Sequence, residues 1–156
     1  MTIRVQTQDF DAGLEIKQLR HARKDTGAVV SFIGQVRDIN EGDTVSLLTL
    51  EHYPGMTEKA LQSITDQAKS RWDIFDVLII HRVGTMQPSD QIVLVAVTSA
   101  HRGEAFKACE FIMDYLKTEA PFWKKEVTQQ GNTTAERWVE AKITDDEARQ
   151  RWTKPY

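Results

Sequence analysis

Cysteine is nearly missing from this chain. Cys109 stands alone among 156 residues, so no intrachain disulfide framework can form. A chain without disulfides suits a reducing compartment. No apolar run approaches the roughly 18 residues that a membrane-spanning helix needs. The opening MTIRVQTQDFDAG also lacks the apolar centre of a signal peptide, and a cytoplasmic setting is expected. A basic excess is missing too. With 20 Lys+Arg against 23 Asp+Glu, the net charge of -3 is the wrong sign for a general nucleic-acid binder. His21, His52, His81 and His101 have neither paired spacing nor a second cysteine beside them, so neither a zinc site nor another metal or cofactor is expected. There is no G-x-S-x-G elbow, no Walker A loop and no G-x-G-x-x-G, which removes the commonest hydrolase, NTPase and dinucleotide chemistries.

What the sequence does hold is an ordinary globular balance, 40% hydrophobic and 28% charged. Residues 1–156 show no repeat, low-complexity tract or linker, and one domain is expected. Asp11–Lys24 reads as a weakly amphipathic helix stopped near Gly27. Ala28–Val36 and Thr44–Tyr53 read as strands across the polar turn Asp38–Asp43, and are expected to pair as a hairpin. After Pro54–Gly55, Thr57–Trp72 sets Leu61, Ile64, Ala68 and Trp72 on one helical face. Phe75–Val83 and Gln91–Ser99 are apolar strands joined through Gln87–Asp90, the second of them expected to be buried on both faces. Arg102–Thr118 is a helix that Pro121 ends. Phe122–Thr128 and Glu136–Ile143 flank QQGNTTA as a last hairpin, and Thr144–Glu147 forms a capping box opening a short helix toward Trp152. Strand pairs with short links favour antiparallel pairing in an α+β layered domain; a doubly wound sheet needs a helix after nearly every strand.

Cys109 shares its helical face with Ala105, Ile112 and Leu116, where a cysteine acts as a small buried hydrophobe. A reactive thiol needs an exposed, electropositive setting instead. The segment MDYLKTEAPFWKKE (113–126) offers more. Lys117 lies in the last turn of its helix, where the dipole by itself favours a cation. Phe122, Lys124 and Glu126 then share one strand face; Trp123, Lys125 and Val127 share the other. With the Trp123 face buried, Lys124 and Lys117 converge across the Pro121 corner. Two close ammonium groups each disfavour the other's charge, which suits one of them to base or nucleophile work. Arg37 follows one strand, and His101–Arg102 follow another at the start of a helix. That is a ready anion site, or else a capping serine with two solvated side chains. Arg137, in the last hairpin, can join either group.

LTLEHYPGMTEKAL (48–61), VTSAHRGEAF (97–106), FIMDYLKTEAPFWKKE (111–126) and RWVEA (137–141) closely resemble the large, catalytic subunit of molybdopterin synthase, and VVSFIGQVRD (29–38) fits the same family. The resemblance runs from about Gly27 to Trp152. It implies a two-layer, hammerhead-like α+β fold with mainly antiparallel strand pairs and an added small antiparallel subdomain. It implies a sulfurtransferase of molybdenum cofactor biosynthesis, acting on cyclic pyranopterin monophosphate without a cofactor. Sulfur would arrive as the C-terminal Gly-Gly thiocarboxylate of a small ubiquitin-like carrier subunit. The implied assembly is a homodimer within a heterotetramer. By the same resemblance, Lys117 and Lys124 are the catalytic pair. Arg37, His101 and Arg102 hold phosphate and pterin; Arg137, Phe32, Met113 and Glu126 complete the substrate pocket, part of it from the second protomer.

Two rivals come from other classes. A non-catalytic docking module could hold the carrier's tail in the same basic pocket. A small-ligand or RNA-binding domain is disfavoured by net charge and by the want of a basic, aromatic sheet face.

Overall fold

Alternation along two neighbouring strands sets the layers. In β5 (Val77–Arg82) and β7 (Gln91–Ser99), Val77, Ile79, Val93, Val95 and Val97 face one way; Leu78, Ile80, Leu94 and Ala96 face the other. Both sets are buried, so this sheet is covered on both sides. The structure, a computed structural model, describes residues 2–130, 132–140 and 143–153.

The first sheet runs β1 (Thr2–Gln6), β5, β7 and β2 (Ala28–Gln35), with β1 parallel to β5 and the other pairs antiparallel. Helices α2 (Met56–Arg71) and α3 (Arg102–Glu119) cover its valine face, where Leu61, Ile64, Ala68, Phe111 and Ile112 close the core. Helix α1 (Ala12–His21) lies on the reverse face and lends Ile16 and Leu19 to Phe10, Leu78 and Ile80. Its N-cap is Asp11, whose carboxylate accepts from the Leu14 N–H at 3.0 Å. Cys109 is buried within the α3 core, and burial pushes its thiol up to about 12, an inert side chain as its helical face implied.

The second sheet holds β3 (Ile39–Asn40), β4 (Asp43–His52), β8 (Phe122–Gln130) and β9 (Thr133–Val139), with β6 (Gly84–Met86) paired to β4. The expected hairpin of Ala28–Val36 with Thr44–Tyr53 does not form: β2 pairs with β7, and β4 pairs with β8, in separate sheets. A two-residue turn at Glu41–Gly42, both with positive φ (53° and 81°), folds β3 onto β4 instead. The last strand also ends earlier than its alternation suggested, at Val139. Ile143 already opens α4 (Ile143–Gln150), so Thr144 lies inside that helix rather than capping it. Ala141 and Lys142, which that strand was expected to contain, lie outside the described residues, as does the tail beyond Thr153.

After α4, Trp152 packs edge-on against Trp72 and Phe111 at 5.4 and 5.7 Å between ring centroids, and its indole N–H donates to Asp114 at 2.7 Å. Arg151 bonds Asp114 and Glu110 in the open, pairs worth about 0–1 kcal/mol each. Burying an aromatic ring stabilises by roughly 1.5–3 kcal/mol, so the indole is the stronger anchor. No helix among the described residues is long and apolar enough to cross a membrane.

Candidate functional site

The inner face of the second sheet is set by register. Leu48 lies opposite Glu126, Leu50 opposite Lys124 and His52 opposite Phe122, and β9 adds Arg137 beside Glu126 and Val139 beside Lys124. This face, the end of α3 and the β2–β3 link enclose a cavity of about 290 Å³. Its floor is apolar, with Leu48, Leu50, Ile92 and Leu116; Lys117, Lys124, Arg37 and Glu126 stand among its walls.

Each of these side chains has a local cause. Lys117 sits in the last turn of α3, which stops at Ala120 where the chain extends into Pro121. The fully buried Thr57 fixes that corner, donating to the Pro121 carbonyl at 3.1 Å and accepting the Tyr53 N–H at 3.0 Å. Arg37 is held at the rim because Val36 is bonded both ways to the next turn, its N–H to the Asp90 carbonyl and its carbonyl to the Ser89 N–H. Phe32 lines the cavity from the edge strand β2, 40% exposed. A side chain at the neighbouring Gly34 would press on Val93 at 3.0 Å and on the Phe32 ring at 3.4 Å, a crowding that glycine avoids.

The convergence of Lys117 with Lys124 happens by the opposite face from the one expected. Trp123 is 48% exposed, while Phe122, Lys124 and Glu126 look inward. The outward face carries Trp123, Lys125 and Trp138, so aromatic residues are present on a sheet surface after all. Lys125 is paired there with Glu136 at 3.9 Å and lies over the Trp138 ring.

Three other expected pocket residues lie differently. Met113 is 9% exposed within the α2–α3 core. His101 is the N-cap of α3 and Arg102 its first residue, both exposed, at the far end of the helix that carries Lys117. Fifteen residues at helical rise put Arg102 about 22 Å from Lys117. Ser99 does not cap α3; its hydroxyl donates to the Asp73 carbonyl and accepts the His101 N–H. Arg137 is inside the wall but engaged, reaching Asp43 at 2.7 Å and Glu126 at 3.2 Å.

The sequence pattern did not mark the histidine of this cavity. His81, 5% exposed and next to last in β5, stacks on Phe122 with centroids 3.8 Å apart, and has Nδ1 2.8 Å from the Arg82 carbonyl. Burial pushes its pKa down to about 4, aided by the charges of Lys117 and Lys124 and opposed by the carbonyl bond. The ring is thus neutral near pH 7. The signal was a histidine directly after the apolar run VLII (77–80). An unfolded histidine titrates near 6.5, so between that pH and about 4 the unfolded chain binds the extra proton. Stability should therefore be complete above pH 6.5 and fall by about 3 kcal/mol as pH drops to 4. Urea titrations across that window should show a flatter pH dependence in His81→Gln; an unchanged slope refutes the assignment.

Residues 5–119 match the MoaE protein family. The chain belongs to the MoaE family. A molybdopterin synthase catalytic subunit of Ralstonia nicotianae is 66% identical over 151 residues, covering 97% of this chain and 84% of the relative. The solved molybdopterin biosynthesis MoaE protein of Burkholderia ambifaria superposes with TM-score 0.82 at 54% identity, covering 99% of each chain. A Helicobacter pylori complex of subunits 1 and 2 of molybdopterin-converting factor shares the fold at 20% identity and TM-score 0.66, covering 85% of this chain and 87% of that one. The α+β class expected from the sequence is that of these MoaE structures. Among the described residues no group of His, Cys, Asp and Glu is arranged to hold a metal.

Proposed function

We propose that this chain is the catalytic subunit of a molybdopterin synthase, moving sulfur from a carrier's C-terminal thiocarboxylate to cyclic pyranopterin monophosphate. The observation that carries this reading is the pair Lys117 and Lys124 lining one apolar-floored cavity in a MoaE-family chain. Both reactants are anionic, and fixed cations in a partly dry pocket hold them together more strongly than water allows. The floor fits the tail of a small ubiquitin-like protein ending in Gly-Gly, and the lysines receive its charged end. Attack by the thiocarboxylate sulfur forms the new C–S bond and water leaves the pterin side chain. The intermediate is then a thioester to the carrier, and hydrolysis returns the carrier's carboxylate and leaves the thiol on the product. A lysine that hands on a proton serves both steps. Repetition with a second carrier at the neighbouring carbon, whose C–O bond to the cyclic phosphate breaks as the phosphate ring opens, completes the dithiolene.

The phosphate is a further anion to hold, and arginine grips phosphate by two-point hydrogen bonding. His101 and Arg102 lie too far along α3 to serve the same chain's Lys117, so a second copy supplies them, in a homodimer with one carrier at each end, a cytoplasmic heterotetramer. The test is reconstitution. Chain, thiocarboxylated carrier and cyclic pyranopterin monophosphate should yield molybdopterin, read as its fluorescent oxidation product. A folded chain that binds the carrier yet makes no product is a docking module instead.

A further inference from the structure

The wall behind Lys124 contains a closed set of hydrogen bonds that no step above uses. The turn at Glu41–Gly42 places Asn40 directly opposite Asp43. Asn40, 9% exposed, donates from Nδ2 to Glu126 Oε1 at 2.8 Å. Arg137 donates to Glu126 Oε2 from Nε at 3.3 Å and from Nη2 at 3.2 Å. Its Nη2 also donates to the Asn40 carbonyl at 3.0 Å, and its Nη1 to Asp43 Oδ2 at 2.7 Å. A guanidinium has five N–H donors in a fixed fork. Four are spent here, and the one left on Nη1 cannot make the two-point grip that arginine uses on phosphate. Glu126 in turn is 5% exposed, with both oxygens engaged, two residues along the same strand face from Lys124. A buried carboxylate held from both ends keeps one orientation.

We propose that Asn40 and Asp43 are positioning residues of this site: across their turn they lock Arg137 and Glu126 into one rigid unit of the cavity wall, fixing the Glu126 carboxylate beside Lys124. Arg137 then serves the wall and not the substrate's phosphate. The inference rests on the synthase reading, because its output is turnover. The turn belongs to β3–β4 while the held pair belongs to β8–β9, so the lock also joins two hairpins at the cavity.

The experiment compares Asn40→Ala and Asp43→Asn with the parent in the reconstituted reaction. Rates are expressed per chain able to bind the carrier, counted by calorimetric titration, so that a misfolded fraction does not masquerade as slow chemistry. Loss of a buried hydrogen bond to a charged group should lower kcat by about 10-fold or more in Asn40→Ala. Asp43→Asn keeps the shape and loses the charge, and its kcat should fall by roughly 3-fold or more. KM for cyclic pyranopterin monophosphate should stay within about 2-fold in both, since Arg137 does not grip the substrate. Parental kcat in Asp43→Asn, or a KM raised about 5-fold with kcat intact, overturns the positioning role while the synthase reading stands. A parent that makes no product overturns both. Should Asn40→Ala fail to fold, Asp43→Asn decides alone.

Discussion

Lys117→Ala should lower molybdopterin formation by about 100-fold or more, the scale of a lost general acid–base group, while the carrier still binds. The two quantities separate because they draw on different surfaces. A specific protein interface buries on the order of 800 Å² per partner, and one lysine at a pocket wall is a small part of that. Lys117 is exposed at the end of α3, so its truncation costs the fold little. Lys117→Arg sharpens the result. Arginine restores the positive charge but holds its proton at any working pH. If proton transfer or amine attack is the task, Lys117→Arg stays as poor as Lys117→Ala; if charge alone is needed, it recovers. Parental product formation by Lys117→Ala removes the residue from the chemistry.

Mixing two dead variants should restore activity. Arg102→Glu should weaken substrate binding with little effect on the carrier, because Arg102 lies about 22 Å along α3 from Lys117. If each site takes Lys117 from one copy and Arg102 from its mate, a dimer pairing Lys117→Ala with Arg102→Glu holds one intact site and one doubly damaged site. Random reassortment of a two-fold dimer makes half the dimers mixed, so about one quarter of parental turnover should return. Each variant alone gives almost none. The check is to unfold and refold an equimolar mixture and assay it against each parent treated alike. A mixture no better than its components contradicts shared sites.

The fold was legible where burial follows a local period. The two-sided apolar run Gln91–Ser99 could only be a central strand, and the apolar stripe of Thr57–Trp72 is α2 to within a residue at each end. Strand partners were not legible. β2 and β4 are neighbours in sequence across a polar turn, yet β2 meets β7 some sixty residues on. Local pattern says which residues share a face and is silent on which distant strand supplies the other half of a ladder. β1 escaped notice for the same reason, being an edge strand of five residues that pairs in parallel with β5.

For the cavity segment 113–126, the sequence by itself determined the parts: a helix ending at Pro121, a lysine in its last turn, and a strand with Lys124 and Glu126 on one face. Chain order, with MDYLKTEAPFWKKE beside VTSAHRGEAF, also determined the family. Only the tertiary structure decided which strand face looks inward, because alternation is symmetric until a second layer covers one side. It alone set Glu126 opposite Arg137, since a hairpin's register depends on its turn, and so placed the two side chains in an ion pair at 3.2 Å. It alone made His81 a buried neutral imidazole, and it parted Arg102 from Lys117 by the length of α3. Desolvation and distance come from packing, and neither is written in residue order.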